Sequence, residues 1–172
     1  HIDEGRAKGI ARAAGGVPVI GVFGSQGSDE ILGMRDRVGL AGAQLHSGAT
    51  PELVGHLTRE GLMVLVVARI AEAADLEHLA RLKSLGCPIL IEPKVTGRLG
   101  GTGVALPLEF AREARARLAD HPMFLPGGLT PENVADVVRA VRTDAADVPS
   151  GVEQLPGVKV RARMARFLEV LE

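Results

Sequence analysis

Several short stretches of this chain end an apolar run on residues that could do chemistry. ILIEP closes on Glu92 and Pro93; LPGGLTPEN runs from Leu125 through a glycine pair to Asn133; VPSGVE carries Ser150 and Gly151. A carboxylate at the end of an apolar run is costly to bury unpaired, so Glu92 is either part of a site or a residue that reaches solvent at a rim. Gly127 and Gly128 leave backbone N–H groups approachable at the positive end of the helix that Thr130, Pro131 and Glu132 announce, which suits an anion such as phosphate. A merely tight turn accounts for the same pair. His46 and Arg69 also follow apolar runs. For His46 a loop residue or hydrogen-bonded wall is the plainer reading, and for Arg69 substrate contact and a structural salt bridge both stand.

The elements that must hold these residues alternate. Val17–Phe23, Ala43–Leu45, Leu62–Ala68, Cys87–Ile91, Pro122–Leu125 and Ala145–Val148 are short and apolar and read as strands. Helical spacing fills the gaps over Glu4–Ala14, Asp29–Val38, Pro51–Glu60, Ala71–Leu85, Pro107–Ala119 and Pro131–Val141, with a last helix at Val160–Leu171 that sets Met164, Phe167, Leu168 and Leu171 on one face. Such alternation predicts right-handed crossovers and a parallel α/β sheet with strands apolar throughout. The informative residues all fall just after strands, in SQGS, HSG, EPKVTGRLGGTG, GGL and SGVE, and so share one rim. A (βα)8 barrel places its sites there, and its phosphate site in the loops after its last two strands. Six strands are two short of eight.

Composition bounds the rest. At 172 residues the chain reads as one domain, residues 1–172, with 46% hydrophobic and 24% charged residues. A net charge of -1 and 2% aromatics argue against nucleic-acid partners, and no apolar run is long enough for a membrane span. The single cysteine, Cys87, excludes an internal disulfide and a cysteine-rich zinc site and suits a reducing, cytoplasmic setting. Cys87 itself reads as a small core hydrophobe. The five histidines have no metal-binding spacing, so no metal site is expected. The chain opens on His1, not Met, which reads as an incomplete record of a longer parent.

The segments GVFGSQGSDEILGMRDRVGLAGAQLHSG, ILIEPKVTGRLGGTG, LPGGLTPENVADVVRAV and DVPSGVEQLPGVK, in this order and spacing, together resemble the phosphoribosylanthranilate isomerase family of tryptophan biosynthesis. The resemblance implies a TIM (βα)8 barrel with strands three to eight present and the first two absent from this chain. It implies an isomerase acting by Amadori rearrangement without a cofactor. Glu92 takes the general-acid position, where the family usually has Asp. Gly127, Gly128, Leu129, Ser150 and Gly151 become the phosphate cradle, while Gly101, Thr102 and Gly103 match a mobile loop over the site, and His46 and Arg69 line it. The implied partner is a phosphorylated small molecule, with homodimer formation or edge-strand pairing open because Val17–Phe23 and Ala145–Val148 would be unpaired edges.

The departures cluster around the same pocket. Pro93 replaces a small polar residue, Val104 and Val66 stand where the family has lysines, and Pro107-Leu108 replaces a polar-aromatic pair. The family's first strand, with the cysteine that removes the C2′ proton, has no counterpart, and Cys87 opens its strand at the opposite rim. These departures leave two alternatives: a divergent member acting on another phosphorylated sugar or aromatic substrate, or a non-catalytic phosphate-binding or interaction protein derived from the barrel.

Overall fold

The computed structural model describes residues 2–94 and 105–171. Six strands follow one another in the sheet in chain order: β1 Ile20–Phe23, β2 Gly42–Leu45, β3 Met63–Ile70, β4 Ile89–Pro93, β5 Met123–Pro126 and β6 Ala145–Asp147. The registered pairs are parallel. The chain divides into two compact units, His1–Val67 with Leu85–Cys87, and Ala68–Ser84 with Pro88–Glu172, so the boundary falls inside β3.

In the first unit α1 (Glu4–Ala13) starts on an Asp3 cap, whose side chain accepts from the Arg6 N–H at 2.9 Å. It buries no residue, and Glu4 ties it to Arg37 of α2 (Ser28–Val38) at 2.8 Å. α3 (Pro51–Arg59) has a Thr50 cap and Pro51 in its first turn, and buries Val54 and Leu57. Alternation and register put Phe23, Leu45 and Val66 on one strand face, all buried, and Val22, Gln44 and Leu65 on the other. On that second face Val22 is 64% exposed and Met63, two residues before Leu65, is 51% exposed. The expectation of strands covered on both sides therefore holds at Leu65, which is buried, and not at Val22 or Met63. Close strand approach also explains Gly42, where a Cβ would sit 2.6 Å from the Met63 carbonyl oxygen.

The second unit holds the end of β3, a 3₁₀ turn at Ala73–His78, α4 (Leu79–Lys83), β4, α5 (Leu108–Leu118), β5, α6 (Val134–Val141), β6, a hairpin of β7 (Glu153–Leu155) and β8 (Val158–Lys159), and α7 (Arg161–Glu169). Part of its core is Leu129, Val134, Val152 and Phe167, with Val137, Val138, Ala146, Val148 and Val170 packed against them.

Several boundaries differ from the sequence reading for identifiable reasons. The single helix expected over Ala71–Leu85 opens as a 3₁₀ turn because the Asp75 carboxylate accepts from the backbone N–H groups of Ala71 (2.8 Å) and Glu72 (3.2 Å), tightening that turn. The helix expected from Pro131 begins at Val134. The Asn133 side chain holds the Thr130 N–H and the Gly128 carbonyl, at 2.8 Å and 2.9 Å, and so spends residues 131–133 on a separate turn. Of the apolar stripe expected on the last helix only Phe167 is buried, while Met164 and Leu168 are 45% and 62% exposed. The hairpin of β7 and β8 was not anticipated; it turns at Pro156-Gly157, with Gly157 at a φ of 82°.

Candidate active site

Glu92, the fourth residue of β4, is 6% exposed. Its Oε1 lies 3.0 Å from the Nε of Arg69, near the end of β3, and the two side chains are 8% and 26% exposed. Of the readings open for Arg69, the salt bridge is thus present, and Glu92 does not simply project into solvent. The guanidinium offsets the cost of withdrawing a carboxylate from water, which an apolar strand end could not do. Beyond the pair, the Lys94 N–H donates to the Ile70 carbonyl at 2.9 Å, and its ammonium reaches Asp75 at 3.2 Å. Val66 lies three residues before Arg69, so it faces the other side of β3, where it is fully buried.

The registers Leu90↔Phe124 and Phe124↔Ala145, with Pro126↔Asp147, put Asp147 on the same strand face as Glu92. Sequence reasoning passed over Asp147. The signal was available, an acidic residue on the last position of an apolar strand, but only register shows that it shares a face with Glu92.

The two glycine loops follow β5 and β6 and meet. Gly127 and Gly128 have φ of 85° and 65°, the left-handed region that glycine occupies without strain. A Cβ on Gly128 would stand 2.4 Å from the Cβ of Ala105, and one on Gly151 would stand 1.7 Å from the Leu129 carbonyl oxygen. The backbone of the SGV loop therefore lies directly against the GGL loop, with Leu129 and Val152 buried beneath them at 4% and 3% exposure. Asn133 fixes the first loop through its bonds to Gly128 and Thr130. Ser150 and Gly151 are half-buried, as a ligand-accessible backbone needs to be. Gly101, Thr102, Gly103 and Val104 lie outside the described residues.

His46 belongs to the first unit. It is 9% exposed, its Nε2 is 2.9 Å from Nε2 of Gln44 on the same strand face, and its N–H donates to the Phe23 carbonyl at 2.9 Å. Beside it the Ser47 hydroxyl donates to the Gly24 carbonyl at 2.8 Å, and the Gly24 N–H donates to Gln26 Oε1 at 2.8 Å, so HSG and SQGS are joined. Cys87 is buried, and its thiol is pushed up by desolvation. Among the described residues no group of His, Cys, Asp and Glu could hold a metal ion, and no helix is long and apolar enough to cross a membrane.

A parallel α/β sheet with a buried, arginine-paired carboxylate and two abutting glycine loops, all at strand C-termini, defines an α/β enzyme of the kind that handles anionic small molecules. The chain belongs to the N-(5′-phosphoribosyl)anthranilate (PRA) isomerase family, whose model matches residues 4–170. It is 36% identical over 157 residues to the N-(5′-phosphoribosyl)anthranilate isomerase of Nitrosococcus oceani, covering 88% of this chain and 70% of that one. Among solved structures, the phosphoribosylanthranilate isomerase of Thermotoga maritima has a TM-score of 0.82 at 29% identity, covering 99% of this chain and 80% of its own. A structure of monomers generated from the dimeric Thermotoga maritima enzyme has a TM-score of 0.81 at 28% identity, covering 99% of this chain and 79% of that one. The family is one of isomerases of tryptophan biosynthesis, and the comparisons favour neither the divergent-substrate nor the non-catalytic alternative.

Proposed function

We propose that the chain serves the Amadori rearrangement of N-(5′-phosphoribosyl)anthranilate to the carboxyphenylamino-deoxyribulose phosphate, in the cytoplasm. In this reading the six strands are the third to eighth of a (βα)8 barrel. Glu92 gives a proton to the ribose ring oxygen as the C1′–O4′ bond breaks, leaving an iminium at C1′. A general base then takes the C2′ proton, the electrons move to the C1′–C2′ bond and neutralise the iminium, and the enolamine becomes the ketone as C1′ gains a proton and the C2′ hydroxyl loses one. No other group is consumed. Arg69 sets the Glu92 carboxyl, and His46 is assigned to substrate contact. The backbone amides of Gly127, Gly128, Leu129, Ser150 and Gly151 hold the phosphate. The end strands of the sheet, β1 and β6, are the places for strand pairing or a homodimer contact.

The single observation that carries this reading is the approach of Gly151 to the Leu129 carbonyl, which joins the loops after β5 and β6 into one small-residue cradle. Crystals soaked in phosphate or sulfate test it. Density between residues 127–129 and 150–152 is expected, and an empty cradle would sink the reading.

A further inference from the structure

The loop that carries Ser150 and Gly151 is tied from behind by side chains that none of these roles uses. Lys159, at the end of β8, donates from Nζ to the Pro149 carbonyl at 2.5 Å and to Oε1 of Glu153 at 2.6 Å. The Glu153 N–H donates to the Ser150 carbonyl at 3.0 Å, and the Val160 N–H to the Val152 carbonyl at 2.8 Å. The Arg163 guanidinium donates to the Glu153 carbonyl. The carbonyls of Pro149, Ser150, Val152 and Glu153 are thus all engaged by residues of the hairpin and the first turn of α7.

Peptide planarity gives these bonds a consequence. In a trans peptide the N–H points opposite to the C=O. The Pro149 carbonyl shares its peptide with the Ser150 N–H, so fixing that oxygen on Lys159 turns the Ser150 N–H away from the hairpin. The Ser150 carbonyl shares its peptide with the Gly151 N–H, and the bond from Glu153 orients that group in the same way. The charges largely cancel: the hydrogen bond from Lys159 holds the Glu153 carboxyl below the usual carboxylate range, so the carboxylate is ionised and paired at neutral pH. What the pair supplies is orientation and not a net positive field.

We propose that Lys159 and Glu153 are positioning residues of the anion cradle, turning the Pro149–Ser150 and Ser150–Gly151 peptides so that the N–H groups of Ser150 and Gly151 face a bound phosphate. This rests on the phosphate-cradle reading above. Inorganic phosphate titrated into the full 172-residue chain, followed by calorimetry and by the amide resonances of residues 127–129, 150 and 151, tests both. In the wild type those amides shift on binding; if none does, the cradle reading itself fails. Given wild-type binding, Lys159→Met and Glu153→Met each weaken phosphate roughly tenfold, the size of effect expected when a hydrogen bond to a charged group is lost. Lys159→Arg, which keeps the donor, restores most of the affinity. Glu153→Met separates orientation from charge, because it removes the acceptor that places the Lys159 ammonium yet leaves the ammonium's charge. Tighter phosphate binding in Glu153→Met, or unchanged affinity in both methionine variants, overturns the proposal while leaving the cradle intact. If Lys159→Met does not fold, Glu153→Met and the Lys159→Arg control decide alone.

Discussion

Oε1 of Glu92 and Nε of Arg69 stand 3.0 Å apart across β4 and β3, the acid buried and the guanidinium partly open to water. A buried carboxylate deprived of a cationic neighbour retains its desolvation cost without the attraction that offset it. Arg69→Met should therefore lower stability by about 2 kcal/mol, less than for a fully buried pair because Arg69 keeps some water contact. Arg69→Lys should recover only part, since a point charge does not reproduce the planar donor. Urea unfolding measures both, and an unchanged midpoint for Arg69→Met would show that this contact contributes little.

Wherever the chain turns over phosphoribosylanthranilate, Glu92→Gln should reduce kcat by about 10²-fold or more, because the amide cannot supply a proton to the ring oxygen. The affinity for a phosphate-bearing analogue should stay close to the wild-type value, since the cradle lies on other loops. Undiminished turnover would remove Glu92 from the acid role.

Gly151→Ala meets the Leu129 carbonyl oxygen at 1.7 Å, and Gly128→Ala adds a clash at 2.4 Å to a φ of 65°. Each should cost about 2 kcal/mol or more, as overpacking against backbone does, and each should abolish phosphate binding. A thermal melt and a phosphate titration would check this. Wild-type affinity in Gly151→Ala would show that the loops move apart without loss.

Cys87 offers a test of burial through its thiol. The resemblance gives proton removal at C2′ to a thiolate, and the one thiol here is buried, with its ionisation pushed up by desolvation. The native thiol should label slowly with a disulfide reagent and rapidly in denaturant. Because the folded chain holds the thiol proton more tightly than the unfolded one, stability should fall as pH rises above the ordinary thiol value of 9.0. Fast native labelling would contradict the burial on which these expectations rest.

Much of the fold was legible along the chain because each strand and most helices are defined by nearest neighbours in sequence. α3 starts at Pro51, where the helical spacing puts it, and the six strands fall where apolar runs do. The boundaries that moved did so through side chains bonding to nearby backbone: Asp75 tightened one turn and Asn133 detached another. Such contests between side chain and backbone turn on local geometry that no residue pattern records.

The site divides in the same way. The residue types at strand ends, Glu92, the glycine pair and Ser150-Gly151, were determined by the sequence itself, since a rim position follows from where an apolar run stops. That Arg69 belongs to Glu92, that Asp147 shares its face, and that Lys159 returns to the Pro149 carbonyl were decided only in three dimensions. Each of these relations joins residues on different elements, through strand register or a hairpin turn. A shift of one residue in register would have sent Asp147 to the opposite face with every apolar run left unchanged.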